Sequence, residues 1–177
     1  MQINFITGNQ NKFLEVKKLI PNIKRVELDL PEIQELDLKK IIKEKLKSAK
    51  KQIKGPIVCE DVSLEINALN KFPGPLVKWF LKKISNDEIY KLIKNYEDNS
   101  VNIICLVGFF DGKKDYYFKG EIKAKIVKPR GENGFGFDPI IIPLTSSKTF
   151  AEMSKQEKNL LSHRYKAFKK LKEHLEK

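Results

Sequence analysis

Cysteine, histidine and tryptophan are all scarce in these 177 residues, with two, two and one copies respectively. The first two scarcities each close a route. Cys59 and Cys105 sit in apolar, strand-like runs and match no metal-ligand spacing, so they read as reduced core thiols of a cytosolic chain. With two histidines and no identifiable serine or cysteine partner, triad-type covalent catalysis has no support. No apolar run approaches the ~20 residues needed to span a bilayer. Met1–Ile6 lacks the basic region and small-residue cleavage site of a secretory signal. A cytoplasmic chain without a membrane partner is therefore expected. Arginine is also sparse, at Arg25, Arg130 and Arg164, and aromatics interleaved with arginines on a sheet face are missing. No stable nucleic-acid partner is expected on that account.

What is present is lysine. Lys and Arg number 35 against 23 Asp and Glu, a net charge of +12. Such a balance favours polyanions, phosphorylated small molecules among them. Because Lys, Ile and Asn are abundant together, a coding bias explains the charge as readily as a function does.

The hydrophobic pattern predicts one α/β domain over residues 1–177 with a mixed sheet. Gln2–Thr7 reads as a buried strand, followed by a helix from about Asn11 to Ile20 that stops at Pro21. Arg25–Leu30 alternates as a short strand, and Asp37–Ile53 is a Lys-rich helix ended by Gly55-Pro56. Ile57–Glu60 and Leu64–Leu69 look like two strands separated by Asp61-Val62-Ser63. Helices are expected over Leu76–Ile84 and Asp87–Tyr96, the latter capped by Ser85 or Asn86. Val101–Phe110 and Lys114–Val127 flank the hairpin signal Asp111-Gly112. Pro129–Pro139 is Gly-rich and irregular, and Ile140–Ile142 is brief and apolar. The C-terminal helix is either capped by Ser154-x-x-Glu157 or restarted at Ser162.

Four segments offer chemistry. Thr7-Gly8-Asn9-Gln10-Asn11-Lys12 joins a strand to a helix, where a phosphate finds free backbone N–H groups and the positive end of a helix dipole. The Walker pattern is absent, and an ordinary strand-to-helix turn reads the same residues equally well. Glu60-Asp61 closes an apolar strand, and adjacent carboxylates on extended backbone point to opposite faces. One can then face a metal and the other a water, with Glu32 as a third acid; Mg²⁺ takes one or two carboxylates beside substrate phosphates. Each acid alone is as readily a solvated or turn residue. Gly134-Phe135-Gly136-Phe137-Asp138-Pro139 interleaves glycines with aromatics that suit a flat base, or a packed turn. In Lys158–Arg164, Arg164 falls at the edge of the apolar stripe and demands an acidic or polar partner, while His163 points away from that stripe.

Taken in order, these segments resemble the inosine triphosphate pyrophosphatase (ITPase/XTPase) family over essentially the whole chain. The matching residues are Thr7-Gly8-Asn9-x-x-Lys12 with Glu15, Asp29–Glu32, Glu60-Asp61, Asn67-Ala68-Leu69 with Pro73-Gly74-Pro75, Gly134–Pro139, Thr149–Met153, and Glu157-Lys158-Asn159 through Ser162-His163-Arg164. Pro73-Gly74-Pro75-x-x-Lys78-Trp79-Phe80 is most similar to the eukaryotic branch. The resemblance implies an elongated mixed α/β fold with two lobes around a central cleft, usually a homodimer. It implies that Thr7, Gly8, Asn9 and Lys12 bind the triphosphate, with Lys45 and Lys78 adding cationic contacts. Glu32 helps bind Mg²⁺ (Mn²⁺ as a substitute), with Glu60 and Asp61 near the metal. Asp61 orients or deprotonates the attacking water, supported by Lys12 and Lys45. Phe135, Gly136, Phe137 and Asp138 hold the base, and Lys158, His163 and Arg164 read its 6-keto group.

One departure stands out: the family usually has Thr or Ser after Glu-Asp, and Val62 stands there, followed by Ser63. The expected reaction is water attack on the α-phosphorus of ITP, dITP or XTP, releasing pyrophosphate. Rival readings are a Maf-like pyrophosphatase for modified pyrimidine nucleotides, a basic nucleic-acid-binding module, and an inactive member kept for dimerisation.

Overall fold

The computed structural model describes residues 2–177. In chain order its elements are β1 (Ile3–Ile6), α1 (Gln10–Lys17), β2 (Ile23–Val26), α2 (Leu38–Lys50), β3 (Ile57–Ile66), β4 (Pro73–Gly74), α3 (Val77–Lys83), α4 (Asn86–Ile93), β5 (Ser100–Phe110), β6 (Asp115–Ile126), β7 (Ile141–Pro143), α5 (Lys155–Leu161) and α6 (His163–Leu175). Among the described residues the sheet has seven strands in the order β2-β1-β3-β5-β6-β7, with β4 paired to β3. β1 runs parallel to both β2 and β3, while β3–β4 and β6–β7 are antiparallel. The predicted mixed α/β sheet with flanking helices is what forms. No helix among the described residues is long and apolar enough to cross a membrane.

Contacts divide the chain into two compact units. One comprises residues 1–61, 105–120 and 164–177, the other 62–104 and 121–163. In the first, α2 lays Ile42, Leu46 and Ala49 against Ile6, Ile57 and Cys59. Gly108 permits this approach, because a Cβ there would run into Ile42 and Leu46. Phe5 meets Phe168 of α6 edge to face at 5.4 Å, a geometry aromatic quadrupoles favour. In the second unit Leu64, Ile66, Ile89, Ile93, Ile103, Ile122, Ile126, Ile140 and Phe150 are all buried. Area removed from water at about 25 cal/mol per Å² makes such residues the main stabilising term.

Two sequence expectations need correction. Ile57–Glu60 and Leu64–Leu69 are not separate strands: β3 runs without a break through Asp61, Val62 and Ser63. Val62 is 6% exposed and Ser63 1%, so burial on both faces keeps the backbone extended where polar residues suggested a turn. The second strand covers Ile23–Val26, earlier than Arg25–Leu30, because its register is set by pairing with Ile3–Ile6. At the C-terminus both readings hold, in two successive helices. Ser154 caps α5 with a full capping box to Glu157, and Ser162 is extended (ψ 150) before α6 begins. Ser85, not Asn86, caps α4, again with a capping box.

Candidate active site

β1 ends at Ile6 and the chain turns at once into α1. Asn9 caps that helix, its Oδ1 accepting from Lys12 N at 3.1 Å, and Thr7 Oγ1 accepts from Asn9 N at 3.1 Å. Gly8 is exposed, and a Cβ built on it meets nothing within 4 Å. The protein's own packing therefore does not require glycine there; a ligand approaching the backbone would.

The register Asn4↔Ile57 and Phe5↔Val58 brings Glu60 level with Thr7, where β1 has already stopped. β3 continues past that point, so Glu60 and Asp61 lie mid-strand rather than at a strand end as expected. Their alternation separates their surroundings. Glu60 is 5% exposed, and Oε1 lies 2.5 Å from the Lys12 ammonium. Its Oε2 accepts from Arg164 Nε at 3.0 Å and from the Cys105 thiol at 3.2 Å. Arg164, also buried, donates through Nη1 to Glu15 Oε2 at 2.6 Å. The acidic partner demanded for Arg164 is thus a pair of glutamates.

Burial alone would raise the Glu60 carboxyl, but the Arg164 guanidinium and the Lys12 ammonium outweigh it and hold the pKa well below the usual range. Arg164 loses hydration too, and the charges of Glu60 and Glu15 more than compensate, so it is raised.

Asp61 faces α2, where its Oδ2 accepts from Lys45 Nζ at 2.5 Å. Burial disfavours the Lys45 ammonium. The Asp61 charge and hydrogen bond, then the charges of Glu60 and Glu32, reverse this and raise its pKa. Glu32, exposed and on irregular chain before α2, is thereby within electrostatic reach of the same lysine as Glu60 and Asp61. Among the described residues no three acidic, His or Cys side chains form a ready metal cluster. Carboxylates of this kind fit a Mg²⁺ whose remaining ligands come from phosphates and water, since Mg²⁺ seldom takes an all-protein cage.

The second unit holds the aromatic segment. Asp138, 3% exposed, accepts at Oδ2 from Phe135 N at 2.7 Å and from Lys158 Nζ at 2.7 Å. Lys158 is equally buried, and its ammonium lies 4.4 Å from the Phe135 ring centroid, a cation–π contact. Gly134 has φ +81, and a Cβ there would collide with the Asp138 carboxylate, so the turn excludes any side chain at this position. The Gly136 carbonyl accepts from Asn86 Nδ2 at 2.9 Å. His163, expected to point away from apolar surroundings, is instead 3% exposed with its ring 6.1 Å from that of Phe137. Extended Ser162 separates His163 from α5, so His163 opens a new helix and does not continue the face counted from Lys158. Lys78 is exposed on α3, its ammonium 5.4 Å from the Trp79 ring centroid. Val62 shares the face of Glu60 and Ser63, also buried, that of Asp61, so the position at which the family usually has Thr or Ser carries no hydroxyl here.

Two residues were not singled out for a role from sequence. Glu15 was visible only as part of a motif, and Cys105 only as an apolar core residue. Its partner Glu60 lies 45 positions away, and no local pattern encodes such a pairing.

The Ham1 family model matches residues 3–174. An inosine triphosphate pyrophosphatase of Ajellomyces capsulatus is 44% identical over 178 residues, covering 98% of this chain and 96% of that protein. One from Schizosaccharomyces pombe is 39% identical over 179 residues, covering 98% and 95%. Among solved structures, a HAM1 protein from Coxiella burnetii superposes with TM-score 0.83 at 27% identity, covering 99% of this chain and 98% of that one. A dITP/XTP pyrophosphatase from Mycobacterium abscessus gives TM-score 0.71 at 25% identity, covering 97% and 98%. With sequence and fold in agreement from end to end, the chain belongs to the Ham1 family.

Proposed function

We propose that the chain hydrolyses non-standard purine nucleoside triphosphates (ITP, dITP, XTP) to the monophosphate and pyrophosphate, clearing them from the nucleotide pool. The observation that carries this reading is the set of lysine–carboxylate pairs, Lys12–Glu60 and Lys45–Asp61, beside the capped N-terminus of α1. Family membership and the names of the relatives point to the same chemistry. Neither the Maf-like reading nor the nucleic-acid reading is favoured by those relatives.

Backbone N–H groups of Gly8, Gln10 and Asn11, with Thr7, Asn9, Lys12, Lys45 and Lys78, neutralise and orient the polyphosphate. Glu32 and Asp61, with Glu60 close by, would hold a Mg²⁺, which when bound supplies charge neutralisation of the phosphates. Asp61 orients a water and accepts its proton as the water attacks the α-phosphorus in line; pyrophosphate leaves.

Phe135 and Phe137 flank the base. Lys158 and His163 present donors to a 6-keto acceptor, and the resemblance adds Arg164, whose Nε and Nη1 are engaged by Glu60 and Glu15. Adenine carries a donor amine at that position, and a buried donor set facing a donor is left unpaired, which disfavours ATP. A cytosolic location, read from the two buried free cysteines, and a homodimer, which rests on the resemblance alone, belong to the same proposal. Product analysis with ITP and Mg²⁺ tests the reading: pyrophosphate is expected, and orthophosphate would place the cut at another bond.

A further inference from the structure

The two oxygens of the Glu60 carboxylate are held by different kinds of partner. Oε2 is fixed by the buried Arg164 guanidinium and the buried Cys105 thiol, and Arg164 is itself pinned by Glu15. Oε1 carries only an ammonium, that of Lys12, whose side chain is 23% exposed. A guanidinium is a rigid planar fork, whereas a lysine ammonium is a point charge on a flexible stem. One oxygen is therefore immobile and the other is held by a group that can leave. At Asp61, Oδ2 likewise carries a lysine ammonium, that of Lys45 at 2.5 Å, and neither side chain is sealed from solvent.

A hard cation and an ammonium repel each other strongly at hydrogen-bond distances, so they do not share one carboxylate oxygen. A triphosphate offers the lysines other anionic oxygens. Building on the reading that this cluster takes a triphosphate with Mg²⁺, we propose that Lys12 and Lys45 occupy the cation positions at Glu60 Oε1 and Asp61 Oδ2 in the nucleotide-free chain, and that triphosphate draws them off and opens those oxygens to the metal. Metal and nucleotide then bind as a coupled pair, each removing the other's competitor, and the coupling is reciprocal. The nucleotide-free chain holds divalent metal weakly for the same reason. Arg164 and Cys105 keep Glu60 in place throughout the exchange.

Binding of Mn²⁺ to the full, nucleotide-free chain, read by electron paramagnetic resonance of free Mn²⁺, tests the exchange without turnover. Lys12→Met should bind Mn²⁺ about tenfold more tightly than the wild type, since one unit charge leaves Oε1. The double variant Lys12→Met/Glu60→Gln should lose that gain. An unchanged affinity in Lys12→Met, or a gain that survives Glu60→Gln, overturns the proposal.

A second arm does not depend on Lys12→Met folding. With EDTA present, the α,β-methylene analogue of ITP should bind Glu60→Gln about tenfold more tightly than the wild type, because Lys12 is already released. Equal or weaker binding to Glu60→Gln, in a wild type that binds the analogue, also overturns it. A chain that passes the Mn²⁺ arm yet binds no analogue in any variant, with or without Mg²⁺, contradicts the substrate reading and overturns the triphosphate-driven exchange with it, leaving only the competition between Lys12 and metal at Oε1.

Discussion

Arg164 and Glu60 stand 104 residues apart in sequence and meet at 3.0 Å, Nε to Oε2, with side chains 4% and 1% exposed. The pair ties the start of α6 to the middle of β3 within one compact unit. A buried ion pair adds little stability over a well-packed apolar alternative, but breaking one is costly because a charge is left behind.

Arg164→Met should therefore destabilise the fold by about 3–5 kcal/mol, measured by urea denaturation. Arg164→Lys should recover only part of this, since one ammonium lacks the fork that serves Glu60 and Glu15 together. Full recovery by lysine would show that charge alone, without the two-carboxylate geometry, holds the site.

Two glycines should part company. Gly134→Ala meets the Asp138 carboxylate at φ +81 and should cost about 1–3 kcal/mol, with KM for the purine substrate raised. Gly8→Ala meets nothing of the protein within 4 Å. It should leave the urea midpoint nearly unchanged, within about 0.5 kcal/mol, yet lower kcat/KM at least about tenfold as the backbone loses phosphate contact.

Asp61→Asn keeps the shape of the side chain and removes its charge. Turnover should be abolished, with binding of the methylene analogue affected much less; steady-state kinetics and calorimetry separate the two. Near-normal turnover would take Asp61 out of the water-activating role.

The capping box of α5 predicts an acid response. The Glu157 carboxyl is lowered to about 2, first by the Ser154 backbone N–H and then by Lys148 and the Ser154 hydroxyl. Because the folded value lies below the unfolded value of about 4.3, its contribution is fully present at neutral pH. It is lost as pH falls from about 4.3 towards about 2. The difference in urea midpoint between wild type and Glu157→Gln should shrink over that window and nowhere above it.

Periodicity and caps made most elements legible: α2, β5, β6 and the Ser154–Glu157 box fall where local chemistry put them. β3 escaped because Asp61 and Ser63 look like turn residues, and only tertiary burial keeps them extended. Thr7–Lys12 was readable as a strand-to-helix junction. The lock on Glu60 was not, since Lys12, Cys105 and Arg164 come from three distant segments and converge only through the sheet register. His163 was misjudged for a local reason, the break at Ser162 after which a new helix opens.

One assay addresses both the reaction and its base preference. The purified chain with Mg²⁺ is given ITP, XTP, GTP and ATP separately, and pyrophosphate and orthophosphate are quantified over time. Stoichiometric pyrophosphate and monophosphate are expected from ITP and XTP, with kcat/KM for ATP lower by at least about a hundredfold. Comparable rates on ITP and ATP, or orthophosphate as the product, would contradict the proposed function.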